Sequence, residues 1–544
     1  MSRGRNRKSM SFSENRFPLF RDMRYARFGR VDQSAGAKRK RWEGRMGTNR
    51  KPTTSRRALL KAGAGLAAVA SVAPLPPNGA AAQSQDSNAA TLERLSRADP
   101  NTRRILLKGG TIISMDPSVG DFAQGDVLVE GKKISAIGRN LDAADRDGNA
   151  IVVDATDAIL IPGLIDCHRH AWEGQIRGVI PNSATIGEYM GATHRGFAPH
   201  YRADDVYVGN FITALGCIDA GITCMIDNSH NSRSAAHSDA AVKALFDSGM
   251  RAVHASGAAT FGDWDQQWPQ DLARLQREFF SSDDQLVTLR LFSRGLTKAD
   301  WQTADRLGLW LSIDGAGREN SADVLQQFKA EGLLNERRSV NHGYGLSDAA
   351  WGLIRDAGIS VNACPRSDTQ WALGPGTLGL QDALNHGIRP GLSVDNETSY
   401  STDMFTEMRV AFHLQRWGAQ QAVARKDANP PVPLKMRDLL EFATIRGAEN
   451  AALQRKVGTL TPGKEADIVV IRAEDINTMP LTNAVSTVVS YAHAGNVDSV
   501  FIAGHARKWR GKLVGHDLDR VRKMVHESRD RLFAGRGFKI DVLG

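Results

Sequence analysis

Cysteine is scarce in this chain of 544 residues. The four present (Cys167, Cys217, Cys224 and Cys364) include no short-spaced pair, which excludes a disulfide scaffold and a Cys-rich zinc module. Long apolar runs are also lacking. With 41% hydrophobic and 24% charged residues, the composition fits neither a multi-span membrane protein nor a largely disordered chain. The folded body lacks any excess of positive charge. The formal +10 comes from residues 1–61, where 19 Lys+Arg face 4 Asp+Glu; residues 62–82 carry no charge, and 83–544 hold 51 basic and 56 acidic residues. A mildly acidic body leaves no basis for a nucleic-acid groove.

The uncharged stretch belongs to a leader. Thr54-Ser55-Arg56-Arg57-Ala58-Leu59-Leu60-Lys61 precedes an Ala/Gly/Val/Leu run, then Pro74-Leu75-Pro76-Pro77 and Ala80-Ala81-Ala82-Gln83. A basic start, a modest apolar core and a small-residue cleavage site make an export signal over about 46–82, and the arginine pair resembles the twin-arginine type. The apolar part is too short and too rich in Ala and Gly for a comfortable membrane anchor. Translation is expected to start at Met46, which opens a more typical leader than the Arg-rich 1–45. The mature protein is then periplasmic or secreted, and the export machinery is one of its partners.

Ile105–Met115, Asp126–Gly138 and Ile151–Asp154 read as short strands, the second folding back over Glu130-Gly131-Lys132-Lys133. Ala466–Ile471, Val485–Tyr491 and Val497–Val514 have the same texture, so the two ends are expected to share one β module, closed by a helix over Asp517–Phe533. Between them, apolar runs alternate with helical patterns over roughly 270 residues, the size of a (β/α)8 barrel. Eight runs can be counted: Ala158–Asp166, Ile222–Asp227, Arg251–His254, Leu286–Phe292, Leu309–Ile313, Arg338–Asn341, Ile359–Ala363 and Arg389–Val394. A doubly wound sheet shares that alternation. The fold expected is α/β, a (β/α)8 TIM-like barrel (161–449) with a flanking β-sandwich from 83–160 and 450–515, and a C-terminal helix and tail over 516–544.

Polar residues collect just past the C-terminal ends of these runs, where a barrel keeps its active site. The first run ends in Asp166-Cys167-His168-Arg169-His170; histidines at i and i+2 on an extended strand face the same side and can share one ion. The eighth run offers Asp395, and the sixth is followed by His342.

These motifs resemble the amidohydrolase superfamily, in its cytosine-deaminase and triazine-hydrolase-like branch. Pro162-Gly163-Leu164-Ile165-Asp166-Cys167-His168-Arg169-His170 looks like that family's strand-one motif, and Gly174-Gln175-Ile176-Arg177-Gly178 like the segment after it. Gly221–Asp227, Val361–Asp368 and Val457–Asp467 are similar to its strand-two motif, its strand-seven motif and its return into the β-sandwich; the likeness covers about residues 104–535. It implies one divalent ion, Zn or Fe, held by His168, His170, Asp395 and a strand-five histidine. The ion would acidify a bound water near neutral pH. Asp395 would hold that water and take up its proton, while His342 polarises the electrophile or steadies the nucleophile.

Strand five departs from the family. Where the pattern reads His-x-x-Glu, this chain has Leu311-Ser312-Ile313-Asp314-Gly315-Ala316-Gly317, so Asp314 or Ser312 replaces the histidine and glycine replaces the acid. No lysine ends strand four to bridge a second metal. Candidates for supporting, metal or substrate contacts are Asp314 and His254; Asp227 and His230, in reach of His168 or His170; and Glu397 and Trp172, on loops expected to face the mouth. Asp314 has the alternative roles of capping the next helix or pairing an arginine. The expectation is an exported metal-dependent hydrolase that cleaves a C–N bond of a small cyclic or heteroaromatic substrate, as a monomer or homo-oligomer. Two readings stay open beside it: a metal-poor lyase or decarboxylase using the histidines as acids and bases, and a catalytically silent periplasmic binding protein. For export, replacing Arg56 and Arg57 together by Lys is expected to leave the precursor in the cytoplasm, read by fractionation; unchanged export would contradict the twin-arginine assignment.

Overall fold

The computed structural model describes residues 79–144, 149–373 and 378–543. The arginine pair and Met46 lie outside the described residues, and the expected processing point before Gln83 falls within a helix over Gly79–Arg97.

Five strands come first: β1 (Arg104–Ile112), β2 (Phe122–Glu130), β3 (Lys133–Gly138), β4 (Ile151–Asp154) and β5 (Ala158–Pro162). Eight follow that alternate with helices: β6 (Leu164–Arg169), β7 (Ile222–Ser232), β8 (Arg251–Ala258), β9 (Val287–Arg294), β10 (Trp310–Asp314), β11 (Arg338–Asn341), β12 (Ser360–Ala363) and β13 (Gly391–Leu392). The last four are β14 (Ile468–Arg472), β15 (Val497–Ile502), β16 (His505–Trp509) and β17 (Lys512–Leu513), before a closing helix over Leu518–Arg536.

Strands β6 to β13 pair in sequence order, all parallel, as a nearly closed barrel. The other nine form one mixed sheet, in the order β17-β16-β15-β14-β5-β1-β2-β3 with β4 beside β1. Its seam is the antiparallel β5–β14 pair, running from Ile468 opposite Pro162 to Arg472 opposite Ala158. The two ends of the chain therefore complete one sheet. Alternation along the seam serves both faces. Ile159, Ile161, Val469 and Ile471 pack toward Ile222 and Met225 of the barrel, whereas Leu160, Ile468 and Val470 join Ile105, Leu107 and Leu95 of the first helix.

Two expectations need correction. The run Ala158–Asp166 is not one strand: β5 belongs to the mixed sheet and β6 to the barrel, with Gly163 between them. A Cβ there would lie 1.9 Å from Thr223 Oγ1, so the crossover needs a residue without a side chain. Val485–Tyr491 is helical, not extended. Asn483 caps that turn by accepting the amide of Ser486 at 2.8 Å, and burial of the adjacent Val488 and Val489 overrides the β preference of the Thr-Val-Val run.

A buried ion pair rivets the barrel to the sheet. Arg251, at the start of β8, donates through Nε and Nη2 to Asp467 at 2.9 and 2.8 Å, and through Nη2 to Glu465 at 2.7 Å. Asp467 also accepts the amide of Ala503. Removing one partner leaves buried charge uncompensated, so Arg251→Met is expected to lower the unfolding free energy by about 3–5 kcal/mol. Denaturant titration of the two proteins checks this.

Candidate metal centre

The parity of β6 changes just before its histidines. Ile165 pairs with Cys224 and Asp166 with Met225, yet Arg169 pairs with Asp227, so β6 carries one more residue than β7 over that span. Such a bulge re-aims side chains. Ile165 and Cys167 join the apolar interior with Cys224 and Ile226, and above the bulge His168 and His170 face inward, level with Asn228 and His230.

Asp395 lies just past β13 and closes the barrel onto β6. Its amide donates to the carbonyl of His168 at 2.9 Å, and its carbonyl accepts the amide of His170 at 2.8 Å. Asp395 and His342 both adopt left-handed backbone, with φ of 79° and 64°, a strained state for residues other than glycine and one found where a side chain must be aimed. Asp395 Oδ1 stands 3.1 Å from His168 Nε2 and 3.3 Å from His170 Nε2, and all three residues are buried. Burial alone would raise the Asp395 carboxyl, but the His168 and His170 imidazoles against it hold it well below the usual carboxylate range. Its Oδ2 accepts the hydroxyl of Ser367.

This donor set fits a divalent ion. Tetrahedral ligands about 2.0–2.1 Å from a common centre stand about 3.3 Å apart, which is the spacing seen. His168 Nε2 is buried without a hydrogen-bond partner. Asn228 orients both rings from behind: its carbonyl accepts His170 Nδ1–H at 2.9 Å, and its side-chain Nδ2 is placed 2.6 Å from His168 Nδ1, where exchanging the amide nitrogen and oxygen lets Oδ1 accept Nδ1–H. With the amide oxygen toward Nδ1, both rings keep their Nε2 lone pairs for the ion. Among the described residues, the second convergent group is His168, Asp314 and His342. Asp314 Oδ1 lies 3.6 Å from His342 Nε2, so Asp314 sits at the centre and does not cap the next helix, whose N-cap is Asn320. His342 Nδ1 is held by Asp368 Oδ1 at 2.7 Å. Burial works against the His342 cation, but the neighbouring Cys364 and the Asp368 hydrogen bond raise it well above the usual value.

With this geometry goes a sequence relationship: the model described as "Amidohydrolase family" matches residues 159–507. The chain belongs to the amidohydrolase family. A 5-methylthioadenosine/S-adenosylhomocysteine deaminase of Pyrococcus horikoshii is 25% identical over 443 residues, 77% of this chain and 97% of that protein. A 5'-deoxyadenosine deaminase of Methanothermobacter thermautotrophicus is 25% identical over 431 residues, 75% of this chain and 94% of its own. Two solved structures share the fold. An adenosine deaminase from Xanthomonas campestris with bound zinc has a TM-score of 0.67 at 21% identity, covering 80% of this chain and 100% of that one. Atrazine chlorohydrolase TrzN from Arthrobacter aurescens, complexed with zinc, has 0.62 at 21%, covering 78% and 100%.

In this amidohydrolase several candidates read from the sequence take other places. Asp227 and His254 face outward from their strands and pair with each other, His254 Nδ1 to Asp227 Oδ2 at 3.0 Å; neither reaches the ion site, and Asp227 does not hold His168 or His170. His230 makes no hydrogen bond to those rings; it lies against His170 with centroids 4.1 Å apart and accepts Trp172 Nε1–H at 3.2 Å. Trp172 is fully buried behind His230 and does not face the mouth. Glu397 is also turned away: it binds Arg169 and Arg177 in a buried network with Asp166.

Three functional residues escaped the sequence reading. Ser367 and Asp368 sit in the Val361–Asp368 motif and Asn228 directly follows Gly221–Asp227, where the inward parity of Cys224 and Ile226 would have singled it out. Asn228→Ala is expected to weaken metal binding by about 10–100-fold, the range for losing a residue that orients a ligating histidine. Asp227→Asn, on the outer face, is expected to leave it near wild type; competition with a chromophoric chelator measures both.

Proposed function

We propose that this protein is a single-metal hydrolase that cleaves an exocyclic C–N bond of a small cyclic or heteroaromatic substrate, outside the cytoplasm. The observation that carries the chemistry is the buried His168–His170–Asp395 cluster at the C-terminal mouth of the barrel. A bound divalent ion, zinc by analogy with its relatives, supplies water acidification and Lewis-acid polarisation there. The zinc-bearing structural relatives and the deaminases among the sequence relatives support this reading. The leader sequence alone supports export.

The chain's own residues divide the remaining work. Asp395, kept ionised and fixed by Ser367, is placed to accept a proton from the attacking water. His342, held through Nδ1 by Asp368, presents Nε2 toward the same space and donates to the leaving group. The aromatic cluster of Tyr189, Trp371 and Tyr344, with Tyr344 5.9 Å from the His342 ring, offers a flat wall beside the site.

Gly317 shows how far strand five has departed from the family pattern. A Cβ there would lie 1.8 Å from the carbonyl oxygen of Tyr344, so the backbone has closed over the place of a proton-shuttling acid. Proton delivery then falls to His342 or back from Asp395, without a dedicated shuttle, which favours substrates whose leaving group needs little protonation. Turnover is tested on amides, aminoheterocycles and chlorotriazines. Stripping the metal is expected to abolish activity and zinc to restore it, and His342→Asn is expected to lower kcat by about 10²–10⁴-fold. Full activity without metal would favour the lyase reading, and no turnover by metal-loaded protein the binding-protein reading.

A further inference from the structure

At the opposite end of the barrel lies a cavity of about 340 Å³ that shares no residue with the metal centre. Thr288 and Arg290 of β9 and Trp310 of β10 line it from the N-terminal halves of their strands, and Phe280, Leu453 and Lys456 complete the wall. Leu289 and Leu291 pack outward among the helices, so strand alternation turns Arg290 toward the barrel axis.

Arg290 is an anomaly among the buried cations. Among the described residues four arginines have fully buried side chains: Arg169, Arg251, Arg290 and Arg338. Three of them meet carboxylates: Arg169 those of Asp166 and Glu397, Arg251 those of Asp467 and Glu465, and Arg338 that of Asp305 at 2.6 Å. Among the described residues Arg290 forms no ion pair. Its Nη1 donates to Ser312 Oγ at 3.3 Å and its Nη2 to the carbonyl of Asn450 at 2.8 Å, while Nε has no acceptor. The guanidinium centre lies 5.5 Å from the Trp310 ring centroid. Burial pushes Arg290 down to about 10, so it remains charged at neutral pH. Asp283, the carboxylate residue of the lining, makes no ion pair with it; Lys456 Nζ donates to the Asp283 carbonyl and brings a second positive charge to the cavity.

A buried guanidinium without an anion is costly, and this one borders a space in the lower size range of ligand pockets. We infer that the cavity binds a small organic carboxylate with a flat apolar body, its carboxylate taken by Arg290 and its body held against Trp310 and Phe280. The planar guanidinium matches a carboxylate, and Trp310, Phe280 and Leu453 give an organic body an apolar face that inorganic phosphate cannot use.

The test is calorimetric and thermal-shift titration of the metal-loaded full chain with benzoate, benzamide and inorganic phosphate. Benzoate is expected to bind one per chain and raise Tm, and the other two are not. Arg290→Met is expected to weaken benzoate by about tenfold or more, as for a lost charge-assisted hydrogen bond. Lys456→Gln, at a half-buried position away from the strands, is expected to weaken it several-fold and serves if Arg290→Met does not fold. His168→Ala, which removes a metal ligand, is expected to bind benzoate unchanged. The inference is overturned if benzoate does not bind, if benzamide or phosphate binds as well, if both cavity variants bind undiminished, or if His168→Ala loses binding.

Discussion

The candidate metal centre depends on two backbone hydrogen bonds, those by which Asp395 grips the carbonyl of His168 and the amide of His170. They complete the barrel where β13, only Gly391–Leu392, is too short to do so alone. They also lock three side chains into one frame, because the residue that closes the barrel is the carboxylate that meets both imidazoles. Ligand spacing is thereby set by β-sheet geometry and does not depend on loop conformation, which is how a rigid scaffold pre-organises a site. The left-handed backbone at Asp395 costs of order 1–3 kcal/mol, and the surrounding core has to hold it in place.

Much of this was legible in the sequence because apolar runs at barrel spacing are robust signals. Eight strands, both ends of one sheet, and the His168, His170, Asp395 and His342 positions all follow from run ends and motif order. What was not legible depended on single-residue parity. The bulge in β6 cannot be read from Asp166-Cys167-His168, and without it which residues of β7 stand level with the two histidines is not legible. Glu397 looked like a mouth residue because it follows the last strand, yet a buried Arg169 claims it. Val485–Tyr491 misled for a different reason: its β-branched residues carry strand propensity, but Asn483 and tertiary burial decide the matter. Gly317 could be read only as a missing acid; the structure adds that the Tyr344 carbonyl occupies the space.

The two ends of the barrel handle buried charge in opposite ways. At the mouth, carboxylates and imidazoles converge on a space that a cation would neutralise. At the base, Arg251 is fully paired and supports the joint between barrel and sheet, while Arg290 is left without a carboxylate beside a cavity. Uncompensated buried charge is costly in either sign. Its location therefore marks where a ligand of opposite sign belongs.

In this reading barrel closure builds a site for one ion with two imidazole ligands. The decisive measurement is metal analysis combined with X-ray absorption at the metal edge, on protein purified with its native metal. One ion per chain is expected, with two imidazole nitrogens and the rest of the shell oxygen. A three-imidazole shell, sulfur ligation, or protein that is fully active with no stoichiometric metal would contradict it.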